Sequence, residues 1–231
     1  MLAAKKSRWF EEIFAVYNRN LIKRRFHSFK ISGLDYLTNK DAKIPLLIYA
    51  NHTSWWDGLL AFEISRAARF DSFIMMDEAN LRRFFLFRRL GAFSVPRSFR
   101  GAIESINYAA DLLAGNPQRT VWIFPQGEIV PNDLRPIRFF NGAAKIVEKV
   151  GRCLTVPLAF RLEFTGNFKP EIYVRIGEPN LIETDENYDS KKLTVGLTKR
   201  LTEVLDELRS DVINKNTEDY RKIFCQSNRS L

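Results

Sequence analysis

Residues 44–67 read IPLLIYANHTSWWDGLLAFEISRA, and the fold is decided here. Residues 44–50 form an unbroken apolar run. A strand with one face in water alternates apolar and polar residues, so a run without alternation predicts a strand buried on both faces, as in a parallel sheet. A polar turn, NHTSWWDG, then leads into a segment of helical period. Downstream the order repeats. Short apolar runs at 72–76, 93–96, 120–124, 154–160 and 171–176 read as strands. Helical patterns cover 78–90, 101–114, 141–150 and 191–210, with Gly91, GNP at 115–117 and Gly151 as stops. Upstream, 27–33 is a short extended stretch, and the polar residues after 210 predict a tail that frays. Strands alternating with helices give an α/β fold, a mixed, largely parallel sheet flanked by helices. In such sheets, sites form where strands end. Two polar loops, 51–58 and 125–136, follow directly on apolar strands, and chemistry is expected there.

Ahead of the sheet, Trp9, Phe10, Ile13, Phe14, Tyr17, Leu21 and Ile22 recur at helical spacing among seven Lys and Arg residues between 5 and 25. This divides the chain into an N-terminal amphipathic basic helix, residues 1–30, and a domain, residues 31–231. Such a helix suits a membrane interface, and equally a place on the domain with its basic side in water. The balance of 36 Lys+Arg against 27 Asp+Glu, a net +9, seeks phosphate: nucleic acid, anionic lipid headgroups or a phosphorylated small molecule. Cys153 and Cys225 follow no metal-ligand spacing and there are two histidines, so no metal site is expected and a reducing compartment is the default. No run of 18 apolar residues occurs, and charges interrupt every apolar run in 1–30, so neither a spanning helix nor a secretory signal is expected. The glycosylation-type triplets at Asn51 and Asn228 read as chance matches.

His27 sits in a basic stretch with no carboxylate near it in sequence. His52 follows a buried strand and precedes Asp57 by five residues. With a helix starting near Thr53, the two side chains converge. A carboxylate on one imidazole nitrogen fixes the tautomer and leaves the other nitrogen as a base for an attacking alcohol. The pattern alone fits a capping histidine as well. Cys153 at a strand start reads as core packing, and Ser54 lacks the glycines of a nucleophile elbow.

Four blocks change the weight. NHTSWWDG at 51–58, GAFSVPR at 91–97, FPQGEI at 124–129 and VPL at 156–158 stand in order. Together they resemble the signature blocks of the glycerol-phosphate and lysophospholipid acyltransferase superfamily, N-H-x4-D, G-x5-R, F-P-E-G-T-R and V-P-apolar. The resemblance implies an enzyme that moves a fatty acyl group from acyl-coenzyme A or acyl carrier protein to a hydroxyl of a lipid acceptor, such as a lysophospholipid, a glycolipid or a related lipid alcohol. His52 would be the general base and Asp57 its orienting partner. Backbone N–H groups near Gly127 would hold the oxyanion, and no cofactor is needed. Arg97 would bind phosphate or acceptor, since its fork matches phosphate oxygens.

The third block departs from the pattern. Gln126 stands for the usual Glu and Ile129 for the Arg, residues associated in relatives with acceptor recognition. Glu128 then becomes the substitute carboxylate, and Arg135 and Arg138 the substitute cations. An enzyme with lipid substrates must meet a bilayer. Trp9, Phe10, Phe84, Phe85, Arg82, Arg83 and Arg88 are the expected membrane-facing residues, with no acidic residue between Glu78 and Glu104. The expected place is peripheral, on the cytoplasmic face of a membrane, with membrane lipids as partners and no nucleic acid. Rival readings are a nucleic-acid module, which leaves the four blocks unexplained, a non-catalytic lipid-binding relative, and a hydrolase using the same pair on water.

Overall fold

The structure is a computed structural model that describes residues 1–39, 41, 43–185 and 188–225. In chain order its elements are α1 (Arg8–Arg25), β1 (Ser28–Ser32), α2 (Asp35–Thr38), β2 (Leu46–Ala50), α3 (Asp57–Ala67), β3 (Asp71–Asp77) and α4 (Glu78–Arg83). A 3-10 turn, Phe85–Leu90, leads to β4 (Ala92–Val95), α5 (Phe99–Gly115), β5 (Arg119–Ile123), α6 (Gly142–Val150) and β6 (Arg152–Glu163). The chain ends with β7 (Glu171–Ile176), β8 (Asn180–Glu183), α7 (Ser190–Ile213) and β9 (Arg221–Cys225).

Among the described residues, nine strands make one sheet in the order β4-β3-β5-β2-β6-β7-β1-β9, with β8 on β6. Pairing is parallel from β4 through β6 and between β7 and β1. It is antiparallel where β6 meets β7 and β8, and where β1 meets β9. The sheet is mixed and largely parallel, as expected. β2 shows why its sequence does not alternate. Leu47 and Tyr49 enter the core beneath α5, α6 and α7, while Leu46, Ile48 and Ala50 enter the core beneath α1 and α3.

Three expectations are corrected. The helix of 78–90 breaks at Phe84, whose φ of −113° and ψ of 52° leave the helical region, and continues as the 3-10 turn to Gly91. At Gly91 φ is +97°, and a Cβ would meet the Ser72 carbonyl oxygen at 2.6 Å, so glycine is required there. The helix after block one starts at Asp57 rather than near Thr53. The expected frayed tail supplies β9 at residues 221–225; residues 226–231, including the Asn228 triplet, lie outside the described residues. α1 does not bury its whole apolar stripe. Ala15, Asn18 and Ile22 are buried, whereas Trp9, Ile13, Val16 and Tyr17 stay exposed.

A polar knot closes the sheet where β1 and β7 begin. The buried Glu171 carboxylate accepts hydrogen bonds from the Ser28 and Tyr173 hydroxyls, each at 2.6 Å, and from Thr165, and it pairs with the Lys30 ammonium at 3.1 Å. Burial alone would raise its pKa, but these four donors outweigh burial and hold it at about 2 against an ordinary 4.5. A depressed carboxyl contributes stability above its unfolded pKa and loses it as pH falls through the folded one. The chain is therefore expected to weaken between about pH 4.5 and pH 2. Glu171→Gln should flatten that acid limb and cost about 3 kcal/mol at neutral pH by stranding Lys30. Urea midpoints of both proteins across pH would check this, and an unchanged acid limb in the variant would refute it.

Candidate active site

The parallel strands β4, β3, β5, β2 and β6 all end at one edge of the sheet. Just past the end of β2, His52 and Asp57 meet, with His52 Nδ1 2.8 Å from Asp57 Oδ2. The turn between them makes this possible. The Thr53 and Ser54 N–H groups donate to the same oxygen at 2.6 and 2.9 Å, and the Ser54 hydroxyl donates to Oδ1 at 2.6 Å. Asp57 is fully buried and its charge sits in the first turn of α3, where the helix dipole favours it. A carboxylate has only acceptors to offer, so Nδ1 carries the imidazole proton and Nε2 is left with a lone pair. Nε2 has no partner among the described residues, and the side chain is 24% exposed. Stacking on Phe124, at 4.6 Å between centroids and 23° between planes, fixes the ring.

The main chain of His52 is held from the third block. Its N–H donates to Gln126 Oε1 at 2.8 Å, and its carbonyl accepts from the Val130 N–H at 2.9 Å. Asn51 continues the sheet by side chain. Its Oδ1 accepts from the Phe160 N–H at 2.7 Å, and its Nδ2 donates to the Phe160 carbonyl at 2.9 Å and to Asn132 at 3.0 Å. Asn51 is also 2% exposed, which puts its glycosylation-type triplet out of reach.

The remaining expected site residues divide. Gln126, Glu128, Arg135 and Arg138 border one cleft of about 540 Å³, whose other walls include Leu134 and Phe140; Gln126 joins it to His52. Two of the four are already engaged. Gln126 is buried, and its Oε1 accepts from the His52 N–H, so it clamps that turn while its side chain also borders the cleft. Arg135 donates to the Asn132 and Leu134 carbonyls and pairs with Asp206 at 2.6 Å. Glu128 and Arg138 are exposed. Gly127 has φ +73°, and a Cβ there would strike Phe140 at 2.7 Å. Its N–H closes a turn on the Phe124 carbonyl at 3.0 Å and is not open to an oxyanion; the N–H of Glu128, next along, has no hydrogen-bond partner among the described residues. Arg97 is not in this cleft. It stands past the end of β4, three strand spacings or ~14 Å from β2, and leans on Asp77 at 3.2 Å.

Of the residues expected to face a membrane, Trp9, Phe85, Arg82 and Arg83 are exposed, although Arg82 pairs with Glu78 at 2.6 Å. Phe84 is half-buried between Trp55 and Phe87, and Phe10 lies against Phe14 and the Arg89 guanidinium. Arg88 is turned inward to the Ala3 carbonyl at 2.8 Å, which corrects its expected outward charge.

Residues 28–161, more than half of the chain, match the sequence profile of the Acyltransferase family. The chain belongs to this family. As an acyltransferase it is similar in structure to the 1-acyl-sn-glycerophosphate (LPA) acyltransferase PlsC of Thermotoga maritima. The TM-score is 0.61 and the identity 19%, over 88% of this chain and 80% of that one. At that identity the likeness establishes a shared fold. No curated protein matches this acyltransferase. Sequence reasoning missed the supports of its histidine: Asn51, Ser54, Phe124 and Val130. One signal was legible. A serine three residues before a carboxylate at a helix start is a turn-forming arrangement, and Ser54 stands in that relation to Asp57.

Proposed function

We propose that this acyltransferase moves a fatty acyl group from acyl-coenzyme A or acyl carrier protein to a hydroxyl of a lipid acceptor. One observation carries the proposal: a histidine oriented at Nδ1 by a buried carboxylate, with Nε2 unpartnered and partly exposed. His52 Nε2 takes the acceptor hydroxyl proton as that oxygen attacks the thioester carbonyl. Asp57 stabilises the imidazolium that forms. The tetrahedral oxyanion collapses, the C–S bond breaks, and the leaving thiolate takes the proton back from His52. No acyl-enzyme is required. The Glu128 N–H, with no partner among the described residues, is a candidate oxyanion donor, and each such donor is worth about 3 kcal/mol.

The changed third block bears on the acceptor. Gln126 brings no charge and its Oε1 is held by the His52 N–H, and Ile129 brings no cation. Arg138 is left as the exposed cation of the cleft, so a neutral or singly charged headgroup fits this side better than a doubly charged phosphate. The enzyme works peripherally, with its catalytic edge toward the cytoplasmic surface of a membrane. Among the described residues, no helix is long and apolar enough to cross a membrane. The test is thiol release from palmitoyl-coenzyme A and from palmitoyl-acyl carrier protein, with lysophosphatidate, other lysophospholipids, glycolipids or no acceptor. Acceptor-dependent release with a labelled ester product is expected, larger with lysophosphatidylglycerol or a glycolipid than with lysophosphatidate. Equal release without acceptor would make the protein a thioesterase.

A further inference from the structure

We propose that the hairpin joining β6 to β7, residues 164–170, is a foot that enters the surface of an anionic lipid bilayer beside the active site. The inference rests on the lipid-acceptor reading and adds the part of the molecule that meets the bilayer. β6 pairs with β2 as far as Ala50 and Leu158, then runs on to Glu163. At about 3.3 Å per residue, that carries the hairpin ~16 Å past the end of β2, on the edge that holds His52. There the sequence FTGNFKP places two phenylalanines in water, Phe164 at 69% and Phe168 at 98% exposure. A phenylalanine so exposed gains nothing from its own chain.

The base of the hairpin is held, so the rings are presented rather than loose. Thr165 donates to the buried Glu171, and the Pro170 carbonyl accepts from the His27 N–H at 2.8 Å. That second bond ties the hairpin to the end of α1, whose last turn carries Lys23, Arg24 and Arg25, all exposed. The hairpin adds Lys169 and no acidic side chain. The flanking carboxylates are engaged, Glu163 with Arg161 at 3.1 Å and Glu171 with Lys30. Exposed aromatic rings beside a cationic cluster complement an interface of acyl chains below and anionic headgroups above. On the other side of His52, the turn after β4 and the start of α5 place Phe99, 84% exposed, between Arg97 and Arg100, which pair with Asp77 and Glu104. The catalytic edge is thus straddled by two aromatic and basic projections.

The test uses the full chain and a Phe164→Ser/Phe168→Ser variant. Vesicles of phosphatidylcholine, with and without phosphatidylglycerol, are sedimented with each protein. Transfer is measured to a long-chain acceptor held in vesicles and to a short-chain acceptor dissolved below its critical micelle concentration. The variant should lose at least ~10-fold in partition to the anionic vesicles. It should lose transfer to the embedded acceptor in parallel, yet keep its thermal midpoint and its rate on the dissolved acceptor. Binding and embedded-acceptor rates equal to wild type would overturn the proposal. So would wild type that ignores anionic vesicles, or a loss seen only with acyl carrier protein as donor, which would make the hairpin a carrier dock. If wild type transferred to neither acceptor but the variant still lost vesicle binding, the lipid-transfer reading would fall and the foot would stand.

Discussion

Replacing His52 with alanine will lower kcat by about 10²- to 10⁴-fold, the range removed with a general base, and leave the fold intact. The second half of that expectation comes from the surroundings of Asp57. Without the imidazole, the buried carboxylate still accepts from the Thr53 N–H, the Ser54 N–H and the Ser54 hydroxyl, so no buried charge is stranded. The lost stacking on Phe124 lies on a ring already partly in water. Single-turnover acyl transfer and thermal melts of both proteins would separate the two effects. More than a tenth of the wild-type rate surviving in the variant would mean that the proton goes elsewhere.

Asp57→Asn is the more informative change because it should damage chemistry and fold together. The amide keeps one acceptor and turns the other oxygen into a donor. If the amide nitrogen faces His52, the imidazole proton moves to Nε2 and the base is lost. Nitrogen in that place also opposes the Thr53 and Ser54 N–H groups, which bind the same oxygen, whereas nitrogen in the other place meets the Ser54 hydroxyl, which must turn to accept. An analogous substitution in serine hydrolases costs about 10⁴-fold through the wrong tautomer, and a loss of 10³- to 10⁴-fold is expected here. Stability should fall as well, by about 2 kcal/mol for buried donors left without an acceptor. Urea midpoints and kcat measured on the same preparation give both numbers. Full activity in Asp57→Asn would remove the carboxylate from the mechanism.

The centre of this fold was legible because its signals are local. The run 44–50 announces burial on both faces, and the helices around it have clear stops. The edges were not. β9 carries Arg221 and Lys222 and has one neighbour, so its sequence has no need to look like a core strand. β8 is four residues with two adjacent apolar ones and α2 is one turn, both too short for periodicity to speak. The 3-10 turn at Phe85–Leu90 keeps a helical composition and differs only in winding. The same divide runs through the site. His52 and Asp57 lie five residues apart, so their pairing is written in one turn. Gln126, Val130 and Phe160 reach that turn across long separations, and nothing in residues 51–57 names those partners. Gln126 looked like an altered ligand for the acceptor. Its oxygen fills a backbone role that a glutamate oxygen would fill as well, so the substitution removes a charge without removing the clamp.

The clamp also sets a schedule for the growing polypeptide. His52 and Asp57 leave the ribosome early, but the bonds that hold their turn come from residues 126, 130, 132 and 160. At ~5–20 residues per second, the roughly 100 residues between Asp57 and Phe160 take about 5–20 s to make. For that interval the nascent chain can form the turn that joins the two side chains, but not the clamp that seats that turn at the sheet edge. Completion of the site is therefore a late event of biosynthesis, reached only when β6 has slotted in beside β2.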